Sequence, residues 1–137
     1  MLQAMNTGHE GSMTTIHANT PRDAISRLES MVAMASVNMP ERSVRQQIAS
    51  AISVIVQVSR LSDGTRKVTD ISEITGLEEN VVSMHSVFSF VRKGIGPDGK
   101  VLGSYQPSGI RPKFLEKLQV AGIVLPAEIF ERSVEVN

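Results

Sequence analysis

One stretch, IASAISVIVQVSRLSDG at residues 48–64, constrains the fold more than any other. It begins inside a helical stripe formed by Val44, Ile48 and Ala51, runs without a break into a β-branched segment, and stops at Asp63-Gly64. An Asp-Gly pair between extended flanks supplies the backbone conformations of a tight hairpin turn, so the chain must return as a second strand, expected over about residues 66–74. The density of valine and isoleucine in SVIVQVSRL predicts a strand buried on both faces. VVSMHSVFSFV reads as a further long strand, and GPDGK ahead of VLGSYQ marks a second hairpin.

Upstream, SMTTIHA alternates and is β-branched, which predicts a strand over about residues 12–18 with Met13, Thr15 and His17 on one face and Thr14 and Ile16 on the other. NTPRD then forms a helix start, with Thr20 as N-cap, Pro21 at the first helical position and Asp23 three residues after the cap. Ile25, Leu28, Val32 and Ala35 make one apolar stripe. VNMP breaks this helix and Pro40 opens the next. The tail carries an amphipathic helix with Phe114, Leu118 and Ala121 on one face, then a short helix after Pro126. The opening MLQAMNTG reads as the end of a helix whose earlier turns are missing, so an N-terminal truncation is expected. The order of elements predicts one mixed α and β domain, with part of any parallel sheet lying upstream.

At 137 residues the chain is the size of one domain. Lysine plus arginine equals aspartate plus glutamate at 14 each, and there is one tyrosine and no tryptophan, which argues against nucleic acid as a partner. The absence of cysteine removes disulfides and thiolate metal sites and fits a reducing compartment. IASAISVIVQV is too short to span a bilayer, and MLQAMNTGHE lacks the features of a signal peptide. A soluble, cytoplasmic chain is the expectation.

His9 and His17 flank the β-branched run. HEGSM begins like a zinc-protease motif, but Met13 stands where the second histidine belongs, and no standard structural zinc spacing exists, so no metal site is expected. No serine lies in a Gly-x-Ser-x-Gly elbow. An anion site has more support. His17 stands at the end of the expected strand, just before a helix N-terminus whose free amides favour negative charge. Arg22 in the first helical turn opposes the helix dipole unless an anion lies near. The plain alternative for His17 is an imidazole bonding a backbone carbonyl at a strand end. None of the five lysines is followed by serine or threonine, so the Gly-x4-Gly-Lys-[Ser/Thr] phosphate loop is absent. Arg27, Glu29, Arg45 and Arg111 read as surface charge, and His85 as a hydrogen-bonded sheet residue.

MLQAMNTGHEGSMTTIHANTPRDAISRLESMV closely resembles the histidine box and following helix of the secretion and pilus-assembly ATPases, in the tight-adherence (CpaF/TadA) branch of the type II/IV secretion ATPases. The likeness continues through RQQIASAISVIVQVSRLSDGTRKVTDISEITG and DGKVLGSYQPSGIRPKFLEKLQVAGIVLP. The resemblance implies an α/β fold: the C-terminal portion of a RecA-like P-loop ATPase domain over residues 1–137, with an incomplete sheet, β-hairpins, flanking helices and the histidine box at 7–20. It implies a hexameric parent that uses ATP and Mg²⁺ to power secretion or Flp pilus assembly, seated at the inner membrane through platform proteins. His17 and Thr15 would sense the γ-phosphate, with His9 at the site's edge and Thr20 and Arg22 on the nucleotide side. The family's Walker A and Walker B elements would lie upstream of Met1, so this chain alone is expected to bind no nucleotide and to be inactive. A stand-alone interaction module that kept the fold without the motor is the alternative.

Overall fold

The computed structural model describes residues 11–35 and 38–136. His9 and the expected helix end in MLQAMNTG lie outside them. The described elements are α1 (Pro21–Ala35), α2 (Glu41–Ala51), β1 (Val54–Arg60), β2 (Arg66–Glu78), β3 (Val81–Ile95), β4 (Val101–Pro107), α3 (Phe114–Val120), a 3-10 turn (Ala127–Phe130) and β5 (Val134–Val136). The strands form one sheet in sequence order, β1-β2-β3-β4-β5. The chain divides into two compact units, Met1–Ile55 with Ile74–His85 and Val56–Glu73 with Ser86–Asn137.

The first unit is a helix pair with a hairpin tip. The Thr20 hydroxyl accepts the Asp23 amide at 3.0 Å, the cap expected from NTPRD. Spacing of three and four residues turns Ile25 and Leu28 of α1 and Val44 and Ile48 of α2 inward, where they pack with Ile74 and Val82 of β2 and β3. Val32 joins this cluster's rim, while Ala35 is exposed, so the stripe ends one turn early. Glu79 and Asn80 connect β2 to β3 with φ of 48° and 68°. Two left-handed residues in succession make the type I′ turn that matches strand twist.

Polar ties and rings organise the second unit. Leu61 donates to the Thr65 carbonyl at 2.8 Å around Gly64, whose φ is 85°. Gly96 donates to the Lys100 carbonyl at 2.8 Å in the second hairpin. β3 and β4 pair antiparallel from Phe88↔Pro107 to Ile95↔Val101, and β4 pairs antiparallel with β5. A Cβ on Gly103 would stand 2.6 Å from the Val91 carbonyl oxygen, so the β3–β4 approach there requires glycine. Phe88 stacks on Phe130 at 5.5 Å, and Phe90 meets Tyr105 edge-on at 5.4 Å. Behind α3, Gly122 and Ile123 donate to the Gln119 and Leu118 carbonyls at 3.0 and 2.8 Å. With Gly122 at φ 80° this is a Schellman motif, and Pro126 opens the 3-10 turn that follows.

Four expectations need correction. Residues 12–18 form no strand: β-branched alternation gives propensity, but a strand also needs a partner ladder, and the described residues provide none there. Ile16 alone of that run's apolar residues packs against the helix core, while Met13 is exposed. β1 is not buried on both faces, because Val54, Val56 and Val58 alternate as exposed residues on the strand that ends the sheet order. β2 continues to Glu78, four residues beyond the expected end, since the two-residue turn lets pairing reach it. In α3, Phe114 and Leu118 are half-buried, but Ala121 lies past the helix end and is exposed.

Candidate functional site

The described part of the histidine box runs without regular secondary structure from Ser12 and meets the capped end of α1 at Thr20. Thr15, His17 and Thr20 are exposed. Arg27, on the second turn of α1, reaches back and donates to the His17 carbonyl at 2.8 Å. That bond fixes the His17 backbone one turn from the helix start and leaves the imidazole facing solvent. It also shows that a carbonyl, not the imidazole, is the group of His17 bonded to Arg27.

Arg22 is engaged as well. Its guanidinium donates to the Val82 carbonyl at 2.6 Å, which ties the first turn of α1 to the start of β3. Arg45 on α2 donates to the Asn80 carbonyl at 3.1 Å and faces Glu29 at 3.5 Å and Glu41 at 3.9 Å. Arginine suits these positions because its planar fork can satisfy a carbonyl and keep donors for a second partner. Arg27, exposed as expected, and Arg45, half-buried, thus act as ties within the first unit. An open groove of about 670 Å³ lies beside the Arg22 contact, lined by Arg22, Glu78, Glu79 and Val81 to Met84. His85 is half-buried within β3, as expected of a sheet residue, and Arg111 is exposed.

The structure therefore places Thr15, His17, Thr20 and Arg22 along one segment at the α1 N-terminus. Fit to a nucleotide is incomplete. The Thr20-capped helix start and the exposed Thr15 hydroxyl and His17 imidazole can touch an anion, but the sequence holds no phosphate loop to cradle one. Among the described residues, no group of three or more histidines or carboxylates could hold a metal ion.

Three carboxylates are structurally central in the second unit: Asp63, expected in a hairpin turn, and Glu73 and Asp70, which carry no site signal in the sequence. Glu73 is 2% exposed, and its two oxygens accept the Lys113 and Phe114 amides at 2.9 Å each, capping α3 from a strand forty residues earlier. The only sequence signal is a glutamate inside a strand-like run, DISEIT, where a solvent-facing position is the usual reading. Asp63 accepts the Thr65 hydroxyl at 2.6 Å and amide at 2.9 Å, and the Val101 amide at 2.8 Å. The Thr65 hydroxyl bond foremost, with the two amides, holds its carboxyl down to about 2 from an ordinary 3.8. Asp70 accepts the Ser86 hydroxyl at 2.8 Å and bonds Ser72.

The type II/IV secretion system protein family matches residues 1–95, and the chain belongs to that family. Conjugal transfer protein TrbB of Rhizobium radiobacter is 39% identical over 80 residues, 58% of this chain and 23% of that protein. A Mycobacterium tuberculosis (strain ATCC 25618 / H37Rv) protein named for conjugal transfer is 33% identical over 81 residues, 59% of this chain and 22% of that one. The chain thus spans about a quarter of the length of these relatives. Among the described residues no helix is long and apolar enough to cross a membrane.

Proposed function

We propose that this chain is the carboxy-terminal part of a RecA-like, hexameric ATPase of the tight-adherence (CpaF/TadA) branch, and that its parent uses ATP hydrolysis to drive type II/IV secretion or Flp pilus assembly. The observation that carries the reading is the family match over residues 1–95, which includes the whole histidine box and the α1 start. Relatives named for conjugal transfer support a role in moving macromolecules across an envelope. In the parent, His17 and Thr15 report phosphate occupancy to α1. Arg27 transmits position because it holds the His17 backbone against the helix. His9 stands at the edge, and Thr20 and Arg22 set the helix end that faces the nucleotide. Arg22 uses one donor on Val82 and keeps others for an anion. The remaining phosphate contacts, Mg²⁺ and the ring neighbours belong to the parent, and platform proteins seat it at the inner membrane.

The 137-residue chain by itself is expected to show no ATP hydrolysis. Turnover by the pure chain that His17→Ala abolishes would overturn the reading. In the parent hexamer, His17→Ala is expected to spare nucleotide affinity and lower kcat. A lost hydrogen bond to a charged group costs about 1.5–3 kcal/mol, roughly ten- to a hundred-fold in rate if it forms in the transition state. Steady-state hydrolysis and nucleotide binding, with His85→Ala as the comparison, separate a phosphate sensor from a residue that supports the sheet.

A further inference from the structure

Two hairpin turns of the second unit carry the same dipeptide in different settings. Asp63 and Asp98 each precede a glycine, whose amide has no Cβ beside it to shield it. Such a pair holds latent chemistry, because the glycine nitrogen can attack the aspartate Cγ and close a cyclic imide. The two nitrogens start alike. The Gly64 amide donates to the Leu61 carbonyl at 2.9 Å and the Gly99 amide to the Gly96 carbonyl at 3.0 Å, with φ of 85° and 79° at the two glycines. The carboxyls differ. Asp63 is half-buried, and its oxygens accept the Thr65 hydroxyl, the Thr65 amide and the Val101 amide. Asp98 is exposed and, among the described residues, accepts the Lys100 amide alone, at 3.1 Å.

We propose that Asp98-Gly99, at the tip of the β3–β4 hairpin, is a site of spontaneous covalent modification at which aspartate converts to isoaspartate, while the hydrogen bonds around Asp63 protect Asp63-Gly64. The inference is independent of nucleotide chemistry. The Gly99 nitrogen gives up its proton and bonds to Asp98 Cγ, and the hydroxyl of the neutral side-chain acid leaves as water, which forms a succinimide. A second water opens the ring. Addition at the side-chain carbonyl restores aspartate; addition at the α-carbonyl leaves the backbone routed through Cβ and Cγ. One water leaves and one enters, so no oxidant or cofactor takes part. Closure at Asp98 breaks the bonds to Lys100 and Gly96, whereas closure at Asp63 breaks the Leu61 bond and all three on the carboxyl. Those bonds, the Thr65 hydroxyl foremost, also hold the Asp63 carboxyl down to about 2, so the neutral acid that sheds water is scarce there. The isoaspartyl product adds a carbon to the turn and spoils the geometry of the Gly96-to-Lys100 bond.

The test is to hold the folded 137-residue chain for weeks at physiological temperature in mildly acidic buffer, digest it, and count isoaspartate at each site by electron-transfer mass spectrometry. Asp98 is expected to isomerise roughly ten-fold or more faster than Asp63, since each bond to a charged carboxylate that must break slows closure. In urea both pairs lose their partners, and the two rates should converge to within about three-fold. Thr65→Val removes the hydroxyl bond and should raise the Asp63 rate by roughly ten-fold while leaving Asp98 unchanged. Circular dichroism certifies that this variant is folded, and where it is not, the comparison in urea decides. Equal rates at the two sites in the folded chain, a faster Asp63, or an Asp98 no more reactive than Asp70, which precedes isoleucine, would overturn the proposal. So would a difference that persists undiminished in urea, since sequence neighbours and not the fold would then set it.

Discussion

The two units are held by different chemistries. Six aliphatic side chains from two helices and a hairpin tip close the first, and arginine-to-carbonyl bonds trim its edges. The second buries less aliphatic surface, and relies on Glu73, Asp63 and Asp70 as acceptors together with two aromatic pairs. An apolar core fails when volume is removed; a carboxylate-tied sheet fails when an acceptor is removed or protonated.

Ile48 is fully buried, so Ile48→Ala is expected to cost about 3 kcal/mol through lost burial and a residual cavity. Urea denaturation followed by circular dichroism measures it, and a cost below that of an exposed valine in β1 would break the contrast. Glu73→Ala should cost about 2 kcal/mol, because it strands two buried-side amides at once. Hydrogen exchange at the Lys113 and Phe114 amides should accelerate, whereas Glu73→Gln, with one acceptor oxygen left, should fall between. If only global stability changes and these two amides stay protected, the cap is not what Glu73 supplies.

Asp63 gives the smallest effect and the sharpest one in pH. Its folded carboxyl titrates near 2 and its unfolded one near 3.8, so its stabilisation is complete above about pH 4 and is lost as pH falls toward 2. Asp63→Asn should lower Tm at neutral pH and flatten its decline between pH 4 and 2. A variant with the same acid slope as the parent sequence would show that other carboxylates govern it.

Local signals carried much of this architecture. Asp63-Gly64, GPDGK and Thr20-Pro21 each encode their conformation within a few positions and appear where expected, and the 3.6-residue stripes do so except at their ends, where Ala35 and Ala121 are exposed. What escaped depends on partners distant in sequence. The Glu79-Asn80 turn lacks glycine, and only the length of both strands makes it necessary. Glu73 looks like a solvent-facing strand residue until the α3 amides arrive forty positions later. SMTTIHA has strand propensity, yet propensity cannot supply a neighbour. The box itself was legible as a helix approach, while the roles of Arg22 and Arg27 were not, because the carbonyls they bind belong to other segments.

The first unit's discontinuity has a temporal side. Its helices, carrying Ile25, Leu28, Val44 and Ile48, leave the ribosome before Ile74 and Val82, which complete their core. At 5–20 residues per second, the two helices wait roughly a few seconds with an apolar stripe uncovered. During synthesis, then, the apolar stripe of the helix pair stands uncovered until the β2–β3 turn arrives.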